Sequence, residues 1–257
     1  MTAGAHNPAT PTGGTPPRFR AALEFALGGD LRYLAHHDEM RLLTRALVRA
    51  GWPLAYSRGF NPRPRLTLPL PRNLGIEAAT QLAVVDLTAP RNAEELAEQL
   101  APQMPGGCQL LRVIAPAPRA TPHPRSAVYE LALTAAEGSG LPERIERLLA
   151  APAVIVDRES APERPTRPFD IRPYVEKLDW DGAHLRMQLA FVEQRTARPS
   201  EVIGQLGLAA GTFHHRIRRA EVLWDMDVAE AVCSATNERN AFVSEEDYHE
   251  ESGEDAA

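Results

Sequence analysis

Three arginines, Arg41, Arg45 and Arg49, recur every four residues, the spacing that stacks side chains into one stripe along a helix. A stripe of guanidinium forks either solvates an exposed helix face or suits a phosphate backbone, because each fork matches two oxygens of an anionic group. The residues that follow include YSRGFNPRPR, Tyr56 to Arg65. Gly59 permits positive φ, while Pro62 and Pro64 fix their own φ values and restrict Asn61 and Arg63. Arg58, Arg63 and Arg65 then project from a stiffened backbone that loses little entropy on binding. Tyr56 and Phe60 add rings on which an unstacked base could rest, or else pack in the core beneath the loop. Between Arg32 and Arg72 eight arginines face two acids, Asp38 and Glu39, a local charge of +6 in a chain whose formal total is −6. Such a patch points to an anionic partner.

His36, His37 and Asp38 stand just before the helix. Asp38 is suited to cap its free N–H groups and to meet the positive end of its dipole. Alternatively His36 lies beside a bound phosphate or ribose hydroxyl and serves as donor or general base. His36 and Asp38 are therefore the only catalytic candidates, and no nucleophile with an orienting partner is identifiable by spacing. Whether the isolated chain is an enzyme stays open on these residues, with the balance against it. The expected nucleic-acid-binding set is Arg32, His36, Arg41, Arg45, Ser57, Arg58, Phe60, Asn61, Arg63 and Arg65. There is no HxxxH pair, Walker loop, GxGxxG or CxxxCxxC run, and only two cysteines occur, Cys108 and Cys233. No metal or cofactor is expected on this chain.

The elements that must hold these residues are legible from periodicity. RFRAALEFAL (18–27) alternates as a strand, and Asp38 to Ala50 repeats apolar residues at helical spacing, with Gly51 as a C′ residue and Pro53 beyond it. LAYSRGF and RLTLPLP read as strand segments, TQLAVVDLTA (80–89) as a clearer strand, Asn92 to Leu100 as a helix capped by Asn92, and CQLLRVIAP (108–116) as a strand. The order β-α-β-β-α-β is that of a ferredoxin-like unit. PAPRATPHPR then reads as a stiff linker. AVYELALTA (strand), LPERIERLLAA (helix), AVIVDRE (strand), a hairpin around Trp180-Asp181-Gly182, PSEVIGQLGL (helix) and HHRIRRAEVLW (strand) repeat the pattern. The arginines of RPFDIRPYV and RIRRAEVLW either extend the basic groove or face solvent.

The expected fold class is thus α+β, two tandem ferredoxin-like units with antiparallel sheets and disordered termini. The boundaries are a disordered N-terminus (1–17), a first unit (18–116), a Pro-rich linker (117–125), a second unit (126–225) and an acidic tail (226–257). Residues 226–257 carry ten acids and one base, −9, which leaves 27 bases against 24 acids, +3, in residues 1–225. The tail either solubilises the chain or folds back on the basic groove as a mimic of nucleic acid. Nothing resembles a secretory signal, and no stretch approaches the ~20 apolar residues of a membrane span. A cytoplasmic protein with no membrane partner is expected.

The run LRYLAHHDEMRLLTRALVRAGWPLAYSRGFNPRPRLTLPLPRNLG resembles the signature of the radical-SAM-linked bacterial protein family, a domain of unknown function. Arg32, His36, Asp38, Arg41, Ser57, Gly59, Phe60, Asn61, Pro62, Arg63 and Pro64 match the family pattern. Ala35 stands where Ser is usual, His37 and Glu39 where Leu is usual, and Arg58 where Gln is usual. Members occur fused to, or encoded beside, a radical SAM protein. The resemblance therefore implies a partner that carries the iron–sulfur cluster and S-adenosylmethionine, with cobalamin as a further candidate. The leading expectation is an accessory protein that presents transfer or ribosomal RNA to that partner. The alternatives are a metal-independent RNA-processing or RNA-modifying enzyme using His36, and a protein-docking module for the same partner. The layout is also similar to that of CRISPR-repeat endoribonucleases, a likeness of fold that carries no function.

Overall fold

The computed structural model describes residues 19–158 and 165–225. The readings of the two ends as disordered, and Cys233, fall outside that range. Strand β1 (Phe19–Leu27) alternates as expected: Ala21, Leu23, Phe25 and Leu27 face the helices, while Arg20 and Glu24 face away. After a 3-10 turn at Gly29–Tyr33, helix α1 (His36–Arg49) buries Leu43, Ala46 and Leu47. Its end is a Schellman closure in which Gly51 N–H donates to Val48 O and Trp52 N–H to Leu47 O, made possible by Gly51 at φ 70°. Trp52 then donates its ring N–H to Leu96 O of helix α2 (Ala93–Leu100), 3.2 Å away. Asn92 caps α2 as expected, its side chain accepting from Glu94 N–H at 2.7 Å. Strands β2 (Leu66–Thr67), β3 (Glu77–Leu87) and β4 (Cys108–Ile114) complete the first unit in the order β4-β1-β3, with β2 on the far edge of β3. That is the ferredoxin-like arrangement.

The second unit repeats it. Strand β5 (Pro124–Ala132), helix α3 (Leu141–Ala150), strands β8 (Val175–Trp180) and β9 (His184–Ala190), helix α4 (Pro199–Gln205) and strand β10 (Ile217–Trp224) give the order β10-β5-β9-β8. Sequence periodicity missed two pieces. The strand read at AVIVDRE is β6 (Ile155–Arg158), but the missed strand β7 (Arg167–Asp170) pairs with it in a separate hairpin outside the main sheet, and a four-residue helix, α5 (Ala210–Phe213), which periodicity also missed, precedes β10. His214 and His215 do not begin β10. They lie in a 3-10 turn with Arg216, because α5 delivers the chain to the strand one residue later, at Ile217.

The two units share one sheet. Arg218 and Arg219 of β10 pair in parallel with Glu77 and Ala78 of β3, while β2 pairs with Val84 and Val85 farther along the same edge. This explains why the strands read at LAYSRGF and RLTLPLP shrink to two residues plus the isolated bridges Leu54–Leu87 and Tyr56–Pro64. The β3 edge they would have filled is taken by β10. With β1 and β5 pointing the same way and right-handed crossovers in each unit, all the longer helices lie on one face over two adjoining cores. On the opposite face Arg20–Asp86, Arg112–Glu24 and Arg186–Glu130 form ion pairs.

Candidate functional site

The first turn of α1 differs from the capping reading. Ala35 is the N-cap, with no side-chain bond, and His36 and His37 are already helical. Asp38 is the third helical residue and accepts from Arg41 Nη1 at 3.1 Å, so its carboxylate is occupied by the helix surface and not by the helix end. His36 is exposed, its ring 5.7 Å from that of His37. No hydroxyl or carboxylate among the described residues makes a hydrogen bond to it. Cys108 supplies no nucleophile either, since burial pushes its thiol up to about 12.

Arg41, Arg45 and Arg49 are exposed on the outer side of α1, as the four-residue spacing requires. Arg49 also donates to Gln103 O at 2.7 Å, and Arg45 has no side-chain partner among the described residues. The loop after the helix is a closed hairpin neck with a free tip. Ser57 N–H donates to Arg63 O (2.8 Å), Arg63 N–H donates to Ser57 Oγ (3.0 Å), and Arg65 N–H donates to Ala55 O (2.8 Å). Gly59, at φ 143°, allows the tip to turn. Arg58, Phe60, Asn61 and Arg63 are exposed there, and Phe60 is 107% exposed, with no side chain covering its ring. Tyr56 is exposed at the neck, so neither ring packs beneath the loop. Arg65 is half-buried, its Nε 3.4 Å from Tyr56 O.

Two of the eight arginines do not contribute to this surface. Arg32 is a brace: its Nε donates to Gly29 O, its Nη1 to His215 O at 2.6 Å, and its Nη2 pairs with Glu77. Arg72 is buried, its side chain 1% exposed and paired at 3.6 Å with Glu39, which is 1% exposed as well. Removing that neutral pair and the neutralised Arg32 leaves six arginines against Asp38, a surface charge of +5. The surface also has two ends. Leu34, just before α1, lies against Arg72, whereas Leu54, just after it, bridges to Leu87 at the end of β3. At about 1.5 Å per residue the 14 residues of α1 span about 20 Å. His36 and the GFNPRP tip are therefore anchored at opposite ends of the helix.

The chain matches, over residues 20–199, the model of a family described as an uncharacterized protein conserved in bacteria (DUF2344). It belongs to that family. The DUF2344 match covers α1, the arginine loop and most of both units, and stops before β10. No curated protein matches the chain. Among solved structures it is similar to the crystal structure of an unknown protein from Galdieria sulphuraria, at 14% identity over 82% of this chain and 100% of that one, with a TM-score of 0.24. Among the described residues of this DUF2344 member no three His, Cys, Asp or Glu side chains group to hold a metal ion, and no helix is long and apolar enough to cross a membrane.

Sequence reasoning missed a buried polar cluster between the units. Arg72 donates to the backbone carbonyls of Leu31, Arg32, Leu34, Asn73 and Ile76, at 2.6–3.2 Å. Arg219, 2% exposed, lies on the inward face of β10 and reaches toward Leu70 O, so the reading of the β10 arginines as solvent-facing fails at this position. Glu39 Oε1, Arg72 Nε, Gln81 Oε1 and Arg219 Nε have no hydrogen-bond partner. The signal was available: Arg219 follows Ile217 by two residues, in phase with the core side of the strand.

Burial pushes the Glu39 carboxyl above its usual range, against the opposing pull of Arg72, Arg219 and His36. A raised folded pKa means that Glu39 contributes full stability below its unfolded value near 4.5 and loses it as pH rises through the folded value. Glu39→Gln, which mimics the protonated form, is therefore expected to gain on the parent protein as pH rises from 4.5 to 8. Urea midpoints measured across that range check this. A gap that widens toward acid contradicts it.

Proposed function

We propose that this chain is an accessory RNA-binding protein, acting in the cytoplasm, that presents transfer or ribosomal RNA to a radical SAM partner carrying the cluster and S-adenosylmethionine. The observation that carries the RNA half is the uncovered Phe60 ring held between Arg58 and Arg63 on a neck closed by Ser57. A ring with no intramolecular packing, flanked by guanidiniums on a stiff loop, is suited to stack an unpaired base while its neighbours hold the adjacent phosphates. Arg41 and Arg45 on α1 extend the cationic track beyond the loop. On the opposite sheet face Arg20, Arg112 and Arg186 are each engaged by a carboxylate. The partner half rests on the sequence resemblance alone.

The same Phe60 tip supports a second reading, a docking module that inserts the ring into a pocket of an acidic partner protein. The geometry around His36 favours no nuclease, since the imidazole lacks both an orienting carboxylate and a nucleophile. Crosslinking and sequencing of RNA bound to the tagged protein in its native cell separates the readings, with an Arg41→Ala/Arg63→Ala variant as control. One RNA class enriched on the parent protein and lost on the variant is the expected result. Co-purification of a protein that survives nuclease treatment, with no RNA enriched over the variant, overturns the RNA reading in favour of docking.

A further inference from the structure

Beyond Ala78, β10 leaves β3, and a cleft opens between the units. It has two adjacent chambers. The larger, about 620 Å³, lies between the Thr67–Pro71 segment and the Thr121–Pro124 segment, with Phe191 at its side. The smaller, about 290 Å³, is lined by Asn73, Arg195, Thr196 and Arg198 among others. Leu70, Pro71, Phe191 and Gln194 line both, so the chambers form one site of two chemical characters. Their volumes lie within or near the range of small-molecule sites.

The large chamber is walled by flat apolar surfaces, the rings of Pro69, Pro71, Pro122 and Pro124 and the ring of Phe191. The small one is cationic. Arg158 is occupied, its guanidinium bound to Glu201 at 2.6 and 2.7 Å and lying 3.6 Å from the centre of the Phe169 ring. Arg198 touches the same carboxylate only at 3.9 Å, and Arg195 has no side-chain partner among the described residues. Three guanidiniums against one carboxylate leave a charge of +2. The turn joining the chambers is held in an unfavourable shape. Glu193 and Gln194 occupy φ 50° and 63°, left-handed positions that favour Asn and Gly, inside a bridge closed by two 2.9 Å hydrogen bonds between Val192 and Arg195. That shape places Gln194 beside the apolar chamber and Arg195 beside the cationic one.

We propose that this cleft binds a nucleoside 5′-monophosphate unit, its base between Phe191 and the proline walls with Gln194 at the base edge, and its phosphate on Arg195 and Arg198. The unit is either a free nucleotide or the phosphorylated 5′ end of single-stranded RNA. The site is distinct from the Phe60 loop and does not depend on it. The test is titration of the full chain with the four nucleoside 5′-monophosphates, the corresponding nucleosides and inorganic phosphate, by calorimetry. At least one monophosphate is expected to bind tenfold or more tightly than its nucleoside, and Arg195→Ala is expected to abolish that tenfold while leaving the urea midpoint unchanged. A 5′-phosphorylated oligoribonucleotide that displaces the monophosphate identifies the RNA end as the source, and one that does not identifies the free nucleotide. Either outcome stands with the proposal. No saturable binding of any monophosphate at millimolar concentration, binding unaltered by Arg195→Ala, or equal displacement by an acidic peptide overturns it. Monophosphate binding that survives Arg41→Ala/Arg63→Ala while RNA capture is lost separates this site from the loop.

Discussion

Arg72→Met is expected to lower the stability of the fold by about 4 kcal/mol or more, the scale of removing one partner from a buried ion pair. The side chain fills a position that no other residue type satisfies. Its fork donates to five backbone carbonyls from two stretches of chain, the turn before α1 and the Asn73 to Ile76 turn before β3, while Nη2 faces Glu39. Methionine restores the volume but removes the guanidinium from those carbonyls, of which Leu31, Arg32 and Asn73 keep one backbone N–H donor each, and strips the buried carboxylate of its cation. In a domain of this size the loss corresponds to a fall in Tm of about 10 °C. Arg72→Lys should recover little, because a point charge does not span five acceptors. Adding Glu39→Leu to Arg72→Met should restore part of the loss by removing the orphaned carboxylate, and the double-mutant cycle measures how much. A Tm unchanged in the single variant contradicts the structural role assigned to Arg72.

Replacing Arg41, Arg45, Arg58 and Arg63 together by Ala is expected to weaken binding of single-stranded RNA roughly 10³-fold at low salt, at about 1 kcal/mol for each net contact. These four are exposed, and only Arg41 has an ion-pair partner, the exposed Asp38, which contributes little. Their loss should not unfold the protein. The affinity of the parent should fall steeply with salt, and the variant's slope should be shallower by about 3, at roughly 0.7 for each single-strand phosphate contact. Arg186→Ala, on the opposite sheet face beside Glu130, is the control and should leave both affinity and slope unchanged. Equal slopes for parent and fourfold variant are incompatible with a phosphate track on α1 and the loop.

Local pattern carried most of the fold. The alternation in β1, the repeat in α1 ended by Gly51, and the Asn92 cap each rest on contacts within a few residues, which a sequence displays directly. What it hid depends on partners far along the chain. Strand β2 is short because β10, some 150 residues later, takes part of the same edge, and β7 contains Pro168, which weakens a strand signal. For the site, the exposed stripe and the loop tip were legible because a helix period and a Gly-Pro loop fix which side chains project. The division among the arginines was not. Arginine is rarely buried, so Arg72 looked like one more surface charge, although it stands amid the apolar LPLP run and the Ile76 that opens a core strand. Arg32 looked free because Glu77 and His215, which occupy it, lie 45 and 183 residues away.

The parallel pairing of β10 with β3 also sets a timetable for the growing polypeptide. The first unit has all its strands once Ile114 has been made, but the second lacks its fourth strand until Trp224, 110 residues later. At synthesis rates of about 5–20 residues per second that interval is roughly 6–20 s. From the completion of β5 at Ala132 its β10 edge stays bare until that strand is made, and Arg72 and Glu39 wait beside an open seam that Arg219 closes. The early half of the protein is thus complete in outline while its interior is unfinished. A ribosome-associated chaperone that shields unpaired strand edges would find its longest opportunity there.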